Sequence, residues 1–264
     1  MHVRPCFTLA PILLCALLCG CSSPGPMDET ALVDLTYAFD ANTIYWPTAE
    51  RFELRQAAWG MNSQGLWYAS NEISCSEHGG THLDAPIHFA EGKRTVEAIP
   101  IEQLMGAACV IDIRSSCATN RDYLLAAADI EAHEEVHGRI PKGAVVLVHT
   151  GWGRHWPDAS KYLGNSKPGD ASNLHFPGIS EAAAAVLVER GIDLVGIDTA
   201  SLDHGPSEFF RAHRTLAKAN IPGLENVAHL EQLPPRGATI LAMPMKIAGG
   251  TGGPCRIVAF LPAR

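Results

Sequence analysis

Between Ser76 and Phe89 the chain reads Ser-Glu-His-Gly-Gly-Thr-His-Leu-Asp-Ala-Pro-Ile-His-Phe, which puts His78, His82, Asp84 and His88 within eleven residues. Imidazole nitrogen and carboxylate oxygen are donors that suit zinc, manganese or iron. Glycines between them let the backbone bend sharply enough to aim such groups at one point. All four residues have the same parity, so an extended chain would present them on one face. At about 3.3 Å per residue, the Cα atoms of His82 and Asp84 lie about 7 Å apart, close enough to share an ion. His78 lies about 13 Å from His82 in a straight chain and joins them only if the chain turns at Gly79-Gly80. His88 lies about 13 Å beyond Asp84. The spacing therefore makes His78, His82 and Asp84 candidate metal ligands and His88 a nearby acid/base group. A helix with His78 and His82 one turn apart conflicts with Gly79, Gly80 and Pro86.

Around this segment, apolar β-branched runs alternate with turn residues. Strands are expected over 32–37, 67–74, 108–113, 144–150, 194–197, 239–242 and 256–260, and helices over 121–128, 129–137, 180–189 and 208–218. Ser180 supplies an N-cap, the alanines after it favour helix, and Gly191 closes it. Residues 194–198 then read as a buried strand ending in polar side chains, where sites often form. This is a mixed α/β pattern.

The N-terminus carries a separate message. His2 and Arg4 precede an apolar run over 7–18, too short for a stable bilayer span. It ends in Leu18-Cys19-Gly20-Cys21, similar to a bacterial lipobox. The expectation is a lipoprotein-type signal over 1–20, a lipidated Cys21 with a flexible tether over 21–31, and one folded domain over 32–264. Ser22 after Cys21 resembles the outer-membrane sorting pattern, which implies a periplasmic-side enzyme that meets the membrane only through its lipid. Of eight cysteines, Cys75, Cys109, Cys117 and Cys255 remain for the domain; disulfides, including Cys109–Cys117 across a hairpin, and buried free thiols both fit the spacing. The net charge of -8 argues against nucleic-acid binding.

The segment His-Gly-Gly-Thr-His-Leu-Asp-Ala-Pro-Ile-His resembles the signature of the metal-dependent cyclase family, which includes bacterial kynurenine formamidase and isatin hydrolase. Similarity extends to Val33-Asp34-Leu35-Thr36 with Trp46-Pro47, Thr150-Gly151-Trp152, Gly196 through Asp203, and Gly249 through Pro254. The resemblance implies a single sheet-rich α/β domain with a barrel-like core, assembled as a homodimer or larger homo-oligomer. It also implies a second ligand pair, His213 and Glu225, with Asp84 bridging one or two divalent ions, zinc or manganese. The implied activity is hydrolysis of a carbon–nitrogen bond in a small aromatic amide, with water activated by metal and His88 moving the proton. Trp46, Trp67 and Phe89 would form an apolar wall for the aryl ring. N-formylkynurenine is the first substrate to consider and a cyclic amide such as isatin the second. A lipid-anchored protein that captures metal or ligand without turnover is an alternative of another class.

His133-Glu134-Glu135-Val136-His137 matches the zinc-protease pattern His-Glu-x-x-His. Pro141 follows closely, and Ile140 and Gly143 stand where a metzincin would continue with glycine and histidine. The acidic residues around it read as a solvated helix face. His149, His155, His175, His204 and His229 lack comparable neighbours, although His204 beside Asp203 could sit near the pocket.

Overall fold

The structure, a computed structural model, describes residues 32–262 apart from 166 and 168, so the signal, lipobox and tether over 1–31 lie outside the described residues. The strands are β1 (Leu32–Asp34), β2 (Glu53–Met61), β3 (Trp67–Ser74), β4 (His82–Asp84), β5 (Met105–Asp112), β6 (Leu124–Leu125), β7 (Val145–His149), β8 (Gly178–Ile179), β9 (Leu194–Ile197), β10 (Gly223–Glu225), β11 (Arg236–Pro244) and β12 (Gly252–Phe260). The helices are α1 (Arg114–Thr119), α2 (Ala127–His137), α3 (Ala159–Leu163), α4 (Glu181–Arg190) and α5 (Arg211–Lys218). Pairing runs β12–β11–β5–β7–β9–β10–β4 and returns from β4 to β12, which closes a seven-strand barrel; β1 pairs with the far end of β12. Strands β5, β7, β9 and β10 are mutually parallel, and α2, α4 and α5 lie in the crossovers between them.

The two-residue period of a strand sorts the side chains. Ala108, Val110, Val145, Leu147 and Leu194 point into one core cluster with Leu83, Leu224, Ile240 and Ile257. Their neighbours Cys109, Ile111, Val146, Val148 and Val195 point the other way and pack with Ala183, Leu187, Ala212 and Leu216 of the helices. Strands buried on both faces read as continuous apolar runs, which is why β5, β7 and β9 were visible in the sequence. At Gly196 a Cβ would come within 2.7 Å of Leu147, so close strand packing at that point requires glycine.

Helix α4 starts and stops as expected: Ser180 Oγ accepts from the Ala183 N–H at 3.0 Å, and Gly191 closes it at φ 68°. The expected helix over 121–128 is a correction. Leu124 and Leu125 instead pair parallel with Gly178 and Ile179, and Leu125 is fully buried. Asp129 Oδ2 accepts from the Ala126 N–H at 2.8 Å, so α2 begins only at Ala127. Tertiary strand pairing overrides the helix propensity of the alanines. Of the two states left open for the cysteines, disulfides and free thiols, the structure shows the second. All four domain cysteines are free thiols. No hairpin follows β5, which runs into α1 and pairs in parallel with β7.

The zinc-protease match on α2 is structural. Glu134 accepts from Arg190 Nε at 2.8 Å and Nη2 at 2.9 Å, tying α2 to α4, and also from the Ile140 N–H at 2.9 Å. His133 is buried, and burial followed by the nearby Arg236 pushes its pKa down to about 4. A guanidinium beside an imidazole opposes a cation there. We expect Glu134→Ala to lower stability by about 1–3 kcal/mol, because an Arg190 charge loses its acceptor, while zinc affinity stays at the parent value. Calorimetric melting with parallel zinc titration checks both, and loss of zinc binding would restore the protease reading.

Candidate metal centre

Strand β4 is three residues long and hydrogen-bonded on both edges. Leu83 points into the barrel core, so period two sends His82 and Asp84 to the opposite face. On β10, Glu225 stands directly opposite His82, and Gly223 opposite Asp84. His78 reaches the same face because the chain turns where the sequence required: Gly80 has φ 57°, and a Cβ at Gly79 would lie 2.0 Å from the Tyr45 ring. Asn226 fixes that turn by donating from Nδ2 to the Gly80 carbonyl at 2.6 Å.

The site residues therefore converge. His78 Nδ1 lies 2.7 Å from Asp84 Oδ1, and His82 Nε2 lies 3.2 Å from the same oxygen and 3.4 Å from Glu225 Oε2. His213, on α5, places Nε2 2.9 Å from Glu225 Oε1 and 3.2 Å from Asp84 Oδ2. The donors form two sets, His78–His82–Asp84 and Asp84–His213–Glu225, which share Asp84. His88 stacks on His78 with ring centroids 3.8 Å apart.

Hydrogen bonds set the imidazole tautomers. His82 donates from Nδ1 to the Gly80 carbonyl at 3.0 Å, leaving Nε2 buried with no hydrogen-bond partner among the described residues. His213 donates from Nδ1 to Asp203 Oδ2 at 2.7 Å. The same Asp203 carboxylate accepts the backbone N–H groups of Ala212 and His213, each at 3.1 Å, capping the first turn of α5. One carboxylate thus starts the helix and orients the ligand it carries.

Charge balance points the same way. Burial favours neutral Asp84, yet the imidazoles of His213, His78 and His82 set against it hold its carboxyl well below the usual range. Burial disfavours charge on His82, but the Asp84 carboxylate 3.2 Å from Nε2, then Glu225, raises its pKa to about 9. His213 is likewise driven well upward, against burial, by Asp203, Asp84 and Glu225. Buried carboxylates here demand positive charge, and an orphaned imidazole nitrogen faces them. The donor set fits a divalent metal. His88 differs: it is exposed at the cavity rather than enclosed, and partial desolvation lowers its pKa, to about 4, so it is neutral at neutral pH.

A cavity of about 310 Å³ opens onto these groups, lined on its apolar side by Ile44, Trp46, Phe89 and Phe210. Phe89 lies 5.2 Å from Phe210 and 4.3 Å from His213, centroid to centroid. Trp46 and Phe89 thus stand where the sequence expectation put them. Trp67 does not: it sits on the β2–β3 hairpin, 61% exposed against Trp59. Its strand lies where the sequence pattern puts it, over 67–74, but period-two alternation carries no information on which body a strand packs against. Phe210, Asp203 and Asn226 were not assigned roles from sequence. Asp203 lay in a recognised segment, and its place ten residues before His213 becomes informative only once α5 folds back. His204 does not line the cavity.

The family model described as "Putative cyclase" matches residues 33–204. The chain belongs to the cyclase family. An isatin hydrolase from Roseibium aggregatum is 33% identical over 243 residues, covering 89% of this chain and 88% of that protein. The structure of isatin hydrolase A from Labrenzia aggregata, bound to benzyl benzoate, superposes with TM-score 0.80 at 35% identity, over 88% of this chain and 94% of that one. A kynurenine formamidase from Salinibacter ruber is 26% identical over 228 residues, covering 86% of this chain and 96% of that protein.

Because His82 with a pKa of about 9 is protonated at pH 7, loading a cation must expel its proton. Zinc affinity should then fall as pH drops below 9, by up to about tenfold per unit for each proton displaced. Titration calorimetry in two buffers of different ionisation enthalpy should count at least one proton released per site at pH 7; a count of zero contradicts the charge balance given above.

Proposed function

We propose that this protein is a metal-dependent hydrolase that cleaves the carbon–nitrogen bond of an aryl amide, with a cyclic amide of the isatin type as the favoured substrate. The observation that carries the reading is two carboxylate–imidazole donor sets sharing Asp84 at the floor of an aromatic-walled cavity. The choice of a cyclic amide rests on identities of 33–35% to isatin hydrolases against 26% to a kynurenine formamidase. N-formylkynurenine, the first substrate considered from sequence, is the second reading, and the same aromatic wall supports it.

His78, His82, Asp84, His213 and Glu225 would hold zinc or manganese. A divalent cation so held lowers the pKa of water toward about 7 and polarises an amide carbonyl. Trp46, Phe89 and Phe210 enclose a flat ring and exclude water from one side. Neutral His88, on the cavity wall, takes the proton lost as water adds to the carbonyl and gives it to the departing nitrogen. Ring opening then yields a carboxylate and an aryl amine on one product molecule.

The test is turnover of isatin and N-formylkynurenine by metal-stripped and then zinc- or manganese-loaded protein. We expect metal-dependent loss of isatin, abolished in His82→Ala. In His88→Ala, kcat should fall about 100-fold or more with zinc affinity within a few-fold of the parent. An intact rate removes His88 from the scheme, and metal-loaded protein that binds but converts neither compound favours the capture alternative.

Two further parts of the proposal concern setting. The lipobox-like Cys21 supports an exported, lipid-anchored enzyme, which labelled palmitate incorporation into the parent and not into Cys21→Ser would test. The β2–β3 hairpin presents Leu54, Trp59, Met61, Trp67 and Ile73, each more than half exposed, and a free two-stranded hairpin is marginal in water. That supports homo-oligomerisation, measurable by light scattering.

A further inference from the structure

The loop before β12 reaches the histidine motif through one threonine. The Thr251 carbonyl accepts from the Ala85 N–H at 2.8 Å, immediately after Asp84. Its N–H donates to Glu77 Oε2 at 3.0 Å, and its hydroxyl donates to the same oxygen at 2.5 Å. The hydroxyl oxygen also lies 2.8 Å from His78 Nε2. Glycines flank the contact on both sides. A Cβ at Gly250 would sit 2.9 Å from Glu77 Oε1, and one at Gly252 would sit 2.6 Å from His78 Cε1.

A hydroxyl has one proton. The Thr251 hydroxyl donates it to Glu77 Oε2, so the Thr251 oxygen can only accept from His78. The hydrogen of His78 is then fixed on Nε2. Nδ1 faces Asp84 Oδ1 at 2.7 Å across a hydrogen bond, and with Nε2 engaged by Thr251 it is the nitrogen left to turn to a cation beside Asp84. His82 and His213 are held in the opposite sense, each donating from Nδ1.

We propose that Glu77 and Thr251 are a positioning pair that fixes the tautomer of His78 and makes it a ligand through Nδ1, while His82 and His213 bind through Nε2. The proposal rests on the metal reading of the site. Its test uses zinc affinity, by chelator competition, and the histidine tautomer, by long-range ¹H–¹⁵N correlation on zinc-loaded protein, with the His78 signal assigned by its absence in His78→Gln. Thr251→Val should weaken zinc binding 10–100-fold, Thr251→Ser should stay within about threefold of the parent, and parent His78 should carry hydrogen on Nε2. A His78 hydrogen on Nδ1, or Thr251→Val with parent affinity, overturns the pair while leaving the metal site standing. Should Thr251→Val fail to fold, the parent spectrum decides alone. A parent chain with no saturable zinc sinks the metal reading and this proposal with it.

Discussion

Closure of the barrel through β4 is the constraint on which the site depends. Only three residues long, β4 is hydrogen-bonded to β10 on one edge and to β12 on the other. Leu83 at its centre is fully buried in the core, and this pins the register. A slip by one residue would turn His82 and Asp84 inward and Leu83 outward. Burying an unpaired carboxylate in an apolar core costs several kcal/mol, so packing selects the register that presents the ligands. The same pairing brings Glu225 opposite His82 without any separate device. The core thereby does the aligning that a loop-borne site would need extra contacts to achieve.

Concentrating Asp84, Glu225 and Asp203 in a nearly dry region is unfavourable for the fold taken alone. The imidazoles offset it by binding protons, which is why His82 and His213 move upward against the trend of burial. A divalent ion held there would replace those protons with fixed charge. His88, only four residues from Asp84, escapes this logic because desolvation outweighs the attraction of the carboxylate. Two classes of histidine thus arise within one short segment, His82 held 3.2 Å from Asp84 Oδ1 and His88 governed by desolvation. Ligands must give up protons to a cation, whereas a proton shuttle must be neutral and accessible at working pH.

Sequence reasoning read the first ligand set because it lies within one contiguous segment, where parity and glycine placement suffice. It read β5, β7 and β9 because both faces are buried, and α4 because its caps are local. It did not find β2, β4 or β10. Strand β2 mixes Glu53, Arg55 and Gln56 with apolar residues and is exposed on both faces, so no burial pattern is written into it. Strands β4 and β10 are too short to show a period and exist because their neighbours hold them. His213 and Glu225 came only from resemblance, since a histidine and a glutamate twelve residues apart acquire meaning when α5 and β10 fold back onto β4. Asp203 and Phe210 eluded local reading for the same reason. Trp67 shows the converse: its strand was legible, but the hairpin carries the side chain away from the cavity of its own chain.

The order of elements after β9 shows how few residues are needed to finish such a centre. Strand β9 ends at Ile197 and β10 starts at Gly223, with α5 between them. Asp203 lies on the way out of β9 and takes the first free N–H groups of α5, which sets where that helix begins. Once it begins there, His213 falls in its first turn, with Nδ1 on the same carboxylate and Nε2 toward Asp84 and Glu225. Helix initiation, tautomer choice and ligand direction are therefore one event. Asparagine could not replace Asp203: the N–H of Ala212 goes to Oδ1 and that of His213, with its Nδ1, to Oδ2, and an amide would turn an NH2 donor toward one of these donors. The start of α5 and the orientation of the His213 ring therefore make the same demand, a carboxylate with two acceptor oxygens at Asp203.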